Sequence, residues 1–444
     1  MKPILRWTSL LCALCLQSVQ ALEIASFRAE VTPRMGAALC GGLVKPAEAV
    51  DQPLYALGLV LWDGQREPVV LCAVDYCEIR GEDHRRWRQA IGQAAGCDAQ
   101  RVTLHSLHQH NAPLLDSAVQ SLLPDLAVVD RSDCDAALQR ITQAVSQSLS
   151  QRRQVSHLMV GEAAVQQVAG NRRVDLKDGK VGLMRGSASK DARLRALPEG
   201  LIDPMLKSVA FFDGTQKLAT LHYYATHPMS YYGDGRISHD FVGMAREQCS
   251  REDQSLHIYF TGCGGNIGAG KYNDGNPQTR PLLAQRLHQA MRLAQQQAKR
   301  LPAGPMLWRH EPLSLDKHPD FPAARMQAVL ENPKAAASAR IVAALRLVFV
   351  QSKAALDLSA LHLGSGLCLL HLPGESFVEY QLHAQSLRPG AVVATASYAD
   401  GITGYIPTEA AFAQGGYETT QAYAAPASEG RLRAAIARLL APAP

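Results

Sequence analysis

Val102-Thr103-Leu104-His105-Ser106-Leu107-His108-Gln109-His110-Asn111-Ala112-Pro113 is the stretch that decides how this chain reads. Val102 to Leu107 is a short apolar strand, and it delivers the chain into a polar His-x-His step. The design recurs. Lys217 to Ala225 leads to Thr226-His227-Pro228, and Leu367 to Leu372 leads to Pro373-Gly374-Glu375. Val392 to Ser397 leads toward Gly404-Tyr405-Ile406-Pro407-Thr408. Buried strands that end in a polar residue commonly present ligands and catalysts from a rigid sheet. Together the four motifs offer imidazole, carboxylate and phenolate around an open coordination position. That set suits zinc acting on a bound water better than zinc that only holds a fold.

Each motif has an ordinary alternative. If the chain stays extended past Leu107, His108 and His110 share a face. One could then bind metal while the other binds substrate or shuttles a proton; otherwise they are polar residues at a loop entry. His105 faces the other way and reads as structural. Pro228 biases His227 toward an extended conformation that could aim its ring, or His227 is a satisfied loop histidine. Glu375 is either a ligand or an anion favoured by the helix start near Phe377. Tyr405 is a held phenol or a core aromatic, and Tyr417 could reach the same cavity.

Elsewhere, strands alternate with helices. Leu54 to Trp62 and Pro68 to Val74 flank Asp63-Gly64 as a hairpin, and Leu206 to Phe212 and Lys217 to Ala225 flank Asp213-Gly214. Helices are expected over Asp83 to Ala95, Asp133 to Gln151 and Pro281 to Arg300. Leu301 to Pro322 reads as a long irregular connection. Helical pieces flank Asn332-Pro333, where the proline breaks the helix. Ser238-His239-Asp240 reads as a helix start with Ser238 as cap, or as a further acid–base or metal pair. Gly262 to Gly270 is a tight turn or an anion-binding run of backbone N–H groups. No clean linker appears, so one large α/β domain is expected over residues 22–444.

The chain has 444 residues, 47% hydrophobic, with 45 Lys+Arg against 40 Asp+Glu and a formal charge of +5. Interspersed charges leave no footprint for nucleic acid. Lys2, Arg6, the apolar run Thr8 to Leu16 and Val19-Gln20-Ala21 read as a signal peptide over residues 1–21. The expectation is a secreted or periplasmic protein with a mature start near Leu22 and no stable transmembrane anchor. Of the ten cysteines, Cys12 and Cys15 lie in that signal. The rest could form at least one disulfide in an oxidising compartment.

In order and rough spacing, Leu107 to Pro113, Gly170-Asn171-Arg172-Arg173, Asp203-Pro204, His227-Pro228, Pro373-Gly374-Glu375, Gly404-Tyr405 and Gly416-Tyr417-Glu418 resemble the neutral ceramidase catalytic domain. The resemblance implies a large α/β domain of mixed β-sheets flanked by helices. It implies an exported zinc-dependent hydrolase of an amide or related acyl bond, with a small-molecule or lipid-like acyl substrate. His108, His227, Glu375 and Tyr405 match the Zn2+ ligands. His110 matches the second active-site histidine, and Arg172 and Tyr417 match substrate-facing groups. The family's C-terminal immunoglobulin-like domain has no counterpart in this sequence. The family also carries Gly-Asp-x-Ser-Pro where this chain has Gly265-Asn266-Ile267-Gly268-Ala269. A serine role toward a sphingoid substrate is therefore lost unless Ser230 or Ser238 replaces it. An esterase or lactonase on the same site, or a metal-dependent binding protein, are the rival readings.

Overall fold

Alternation along the strands sets the layers. The computed structural model describes residues 22–64, 67–399 and 403–442; the signal-peptide stretch lies outside them. Leu57, Leu59, Leu61, Val69, Leu71 and Ala73 point to one side and join a core shared with Leu158, Val209 and Leu221. Their neighbours Ala56, Val60, Val70, Cys72 and Val74 point to the other side, against Trp87, Ile91, Ile141 and Val145. A period of two thus loads both faces of the sheet with apolar side chains.

The large sheet has nine strands, in the order Met306–Leu313, Leu356–Leu363, Leu367–Pro373, Val392–Ala399, Val102–Ser106, Val69–Val74, Tyr55–Trp62, Glu23–Glu30 and Arg153–Gln154. Helices Gly81–Ala95 and Arg131–Ser148 cover its outer face at one end. Val378–Ser386 and Ser428–Leu440 cover it at the other. A second, five-stranded sheet runs Leu256–Thr261, Gln216–Tyr224, Met205–Asp213, His157–Ala164, Lys299–Pro302. It packs on the inner face, backed by helices Asp240–Asp253 and Thr279–Gln296. The result is a mixed α/β sandwich, as expected.

Three expectations need correction. Helix Thr279–Gln296 stops short of Arg300, because Lys299–Pro302 pairs antiparallel with His157–Ala164. The supposed irregular connection holds a second strand, Met306–Leu313, at the sheet edge. Pro312 is tolerated there because only one side of an edge strand must be paired. All eight cysteines among the described residues are free thiols rather than disulfides.

Strand ends gather at one place. Val69–Val74 and Val102–Ser106 run parallel, as do Leu367–Pro373 with Val392–Ala399, and Gln216–Tyr224 with Leu256–Thr261. Asp75, at the end of the first, forms a fully buried pair with Arg246, Nη1 to Oδ1 2.7 Å. Breaking such a pair costs about 3–5 kcal/mol, so helix Asp240–Asp253 is firmly tied to the sheet. The Asp75 carbonyl also accepts from Gln109 Nε2 at 2.6 Å, which pins the segment carrying His108 and His110.

Candidate metal centre

His108 does not lie on an extended chain. Its φ is 71°, a left-handed conformation costly for a non-glycine residue. Its N–H bonds the Tyr76 carbonyl at 3.0 Å, and its ring stacks on Tyr398 with centroids 4.4 Å apart. The face-sharing expectation therefore fails in its reason. The kink still brings His108 and His110 together, edge to face at 5.1 Å.

Two carbonyls set the imidazoles. His108 Nδ1 lies 3.1 Å from the Cys77 carbonyl, and His227 Nδ1 lies 2.5 Å from that of Gly264. A carbonyl can only accept, so each Nδ1 carries the proton and each Nε2 is left with a lone pair. Both Nε2 atoms face one oxygen, Glu375 Oε2, at 3.4 Å from His108 and 3.0 Å from His227. Three acceptors thus converge in a site where all three residues are buried. Only a proton or a cation relieves that arrangement. Burial pushes His227 down to about 4, so its ring is neutral at neutral pH. Burial also opposes charge on His108, but the Glu375 carboxylate outweighs it and holds the ring above its usual range. Burial works to raise Glu375; positive charge on His108, with a proton at Nε2 standing where a cation would, outweighs it and holds the acid well below the carboxylate range. The donor set, with nitrogens oriented by second partners, fits a divalent metal.

Glu375 is not a helix-end anion. Glu375–Ser376 forms a two-residue bridge with Tyr405–Ile406, placing Glu375 beside Tyr405. Gly374 and Gly404, with φ of 59° and 66°, make the turns into this bridge. The first-turn acid of helix Val378–Ser386 is Glu379, which accepts from Asn266. Tyr405 OH accepts from Arg172 Nη1 at 2.9 Å, and its ring lies 6.2 Å from that of His227. Arg172 is buried, 3.6 Å from the buried Glu418, and its guanidinium sits 5.4 Å from the Tyr417 ring. Tyr417 is half exposed at the rim and meets Tyr405 edge to face. Tyr232 of the loop after His227 is likewise about half exposed, and its ring lies 5.1 Å from that of His110. All seven sequence-predicted residues therefore gather in one region.

The glycine-rich loop proves to be a tight turn. Its N–H groups are used internally: Gly262 to Tyr224, Gly265 to Ser376, Ile267 to Gly264. A Cβ on Gly265 would lie 2.2 Å from the Glu375 carbonyl oxygen. Asn266 accepts from the Val378 N–H and donates to Glu379, so it fastens the next helix. Gly268 lies beside Arg172, with room for a Cβ at 3.8 Å. Ser230 and Ser238 do not replace the lost serine. Ser230 Oγ accepts from Arg280, and Ser238 Oγ bonds Gln52 while accepting the Asp240 N–H. Ser238 is nonetheless not the cap: the N-cap residue of helix Asp240–Asp253 is His239, which makes no side-chain capping bond, and the Ser238 bond closes a local turn ahead of it. Asp240 accepts from Ser230 N–H and Phe241 N–H and takes no part in the centre. His105 is structural, held between the Ser397 carbonyl and the Thr261 N–H.

Sequence reasoning missed Tyr398 and Glu78. Tyr398 stacks on His108. Glu78 Oε1 lies 3.7 Å from His108 Nδ1, and Glu78 pairs with Arg80. Neither is part of a recognisable motif.

No family model and no curated protein matches this sequence. Solved structures do match. Neutral ceramidase from Pseudomonas aeruginosa superposes with a TM-score of 0.70 at 15% identity, over 95% of this chain and 74% of that one. A ceramidase complexed with C2 gives 0.71 at 15% identity, over 95% and 75%. The chain has the neutral ceramidase fold. No helix among the described residues is long and apolar enough to cross a membrane.

Proposed function

We propose that this protein is an exported zinc-dependent hydrolase that cleaves an amide or related acyl bond in a small or lipid-like substrate. The observation that carries the reading is the convergence of His108 Nε2 and His227 Nε2 on Glu375 Oε2. The ceramidase fold over 95% of the chain supports the reaction class, and the N-terminal signal pattern supports export.

His108, His227 and Glu375 would hold the metal, with Tyr405, on the strand paired to Glu375, as the fourth ligand. Zn2+ bound there would polarise the scissile carbonyl and lower a water pKa from about 15.7 toward about 7. Arg172 holds the Tyr405 phenol and places its positive charge where an oxyanion develops. His110, edge to face with His108, moves the proton from the attacking water to the leaving group. Tyr417 hydrogen-bonds the substrate at the rim. Ceramide itself is disfavoured, because Asn266 and Gly268 stand where the family has aspartate and serine.

Metal analysis and a panel of N-acyl amides, esters and lactones test this reading. His108→Ala should lose about one equivalent of zinc, as one ligand set holds one ion, and turnover with it. Tyr417→Phe should keep that zinc and lower kcat about tenfold, the loss of roughly 1.4 kcal/mol of transition-state stabilisation. Retention of the full zinc content by His108→Ala would refute the ligand assignment. No turnover across the panel by zinc-loaded protein would mark a binding protein instead.

A further inference from the structure

We infer that Cys40, Cys77 and His110 form a second metal site, a dithiolate–imidazole cradle for Zn2+ beside the His108 centre. It shares no ligand with that centre and stands independently of the hydrolase reading.

Two of the three ligand–ligand distances are those of a coordination tetrahedron. With Zn–S of about 2.3 Å and Zn–N of about 2.05 Å, tetrahedral edges are about 3.8 Å between two sulfurs and about 3.6 Å between sulfur and nitrogen. Cys40 Sγ lies 3.7 Å from Cys77 Sγ and 3.6 Å from His110 Nδ1. The third pair also falls within 4.8 Å.

The backbone holds this arrangement. Cys40 N–H donates to the Ala112 carbonyl and Cys77 N–H to the Pro113 carbonyl, each at 2.8 Å. Both cysteines are thereby tied to the segment that carries His110. Cys40 also keeps a left-handed φ of 47°, a strained conformation of the kind that persists where the surroundings over-determine it. Both cysteines are buried, at 5% and 1% exposure, and two thiols with one imidazole make a soft donor set suited to zinc.

His110 supplies an independent sign. Its Nε2 is buried and has no hydrogen-bond partner among the described residues. A metal on Nδ1 confines the proton of the neutral ring to Nε2. His110 then becomes a fixed donor at Nε2, oriented from behind by the two sulfurs. Cys77 belongs to both sites: its carbonyl orients His108, and its sulfur faces the second position.

Cobalt substitution separates the two sites. The His108 centre as assigned has no sulfur donor, so a thiolate-to-Co2+ charge-transfer band in the near ultraviolet reports a cysteine site, and the Cys40, Cys77 and His108 variants together assign it, against the alternatives at Cys249 and at Cys77 with His108. Apoprotein kept reduced and loaded with Co2+ should bind about two equivalents and show that band. Cys40→Ala and Cys77→Ala should each lose the band and one equivalent while keeping the other. His108→Ala should keep the band and lose the other equivalent. Wild-type protein that binds Co2+ without the band overturns the proposal, as does a Cys40–Cys77 disulfide found by peptide mapping of protein purified without reductant. The wild-type spectrum decides even if a cysteine variant fails to fold. A band with no His108-dependent equivalent would instead sink the hydrolase centre and leave this site standing.

Discussion

Two buried histidine clusters in this molecule look alike in composition and differ in proton count. At His222 and His257 every nitrogen has a complementary partner. Ser208 Oγ sits 2.8 Å from His222 Nδ1, His222 Nε2 sits 2.8 Å from His257 Nδ1, and His257 Nε2 sits 3.0 Å from Asp253, which also accepts from Lys217. One chain of donors and acceptors runs from hydroxyl to carboxylate, and no lone pair is left over. At His108 and His227 the Nδ1 protons go to carbonyls, and two lone pairs meet a carboxylate. Burial of a histidine is therefore a poor sign of metal binding. The atom its second nitrogen faces is a good one.

Changing the proton count should break the comparison most strongly. Glu375→Gln puts a possible N–H donor where an acceptor stood. It should lower metal affinity by at least about 100-fold, beyond the loss typical of an outer-shell partner, and turnover should fall with it. The metal-free variant should melt no lower than metal-free wild type, since the amide can satisfy an imidazole lone pair. A lower melting point would show that no acceptor crowding exists. Gly265→Ala acts by shape instead. Its Cβ would lie 2.2 Å from the Glu375 carbonyl oxygen, so the carboxylate must shift. A cost of about 1–3 kcal/mol in stability is expected from such overpacking, with weaker zinc binding by competition assay. Unchanged affinity would mean that the turn does not position Glu375.

Acid tests the buried rings together. Burial pushes His84, His105 and His371 each down to about 3. Their folded values lie below the unfolded value of about 6.5, so the unfolded chain binds more protons between these limits. Stability is full above about pH 6.5 and falls toward pH 3, by up to about 1.4 kcal/mol per pH unit for each ring. His371 has no hydrogen-bond partner at either nitrogen among the described residues. Denaturant melts of metal-free His371→Leu should show a shallower acid slope by about that amount; an unchanged slope would place its ring in contact with solvent.

The sequence carried the residues of the candidate centre better than the frame around them. His227, Glu375 and Tyr405 could be found because each lies beyond an apolar strand and beside Pro228, Gly374 or Gly404, which restrict or free the backbone, and His108 because its strand ends in a His-x-His step. Met306–Leu313 was hidden because its Arg309, His310, Glu311 and Pro312 suit an edge that only a neighbouring strand reveals. His157–Ala164 was hidden likewise: its place between two strands is fixed by pairing with Met205–Asp213 and Lys299–Pro302, both remote in sequence. Tyr398 and the Gly264 carbonyl were beyond reach, since a stacking ring and a backbone oxygen leave no pattern in composition or spacing.

His222→Ala should have the least effect on chemistry, and that is its use. It removes the middle of the closed chain and leaves Ser208 Oγ and His257 Nδ1 unpaired in the core. Each lost partner strands a buried polar atom, so roughly 1–3 kcal/mol of stability should go. Nothing in the His108 centre touches that chain, and distant sites without shared partners behave independently. Zinc content and kcat/KM should stay within about twofold of wild type at a temperature where the variant is folded. If His222→Ala instead shed an equivalent of metal, the second cluster would be a ligand set after all. Proton count would then fail to separate a metal centre from a satisfied core.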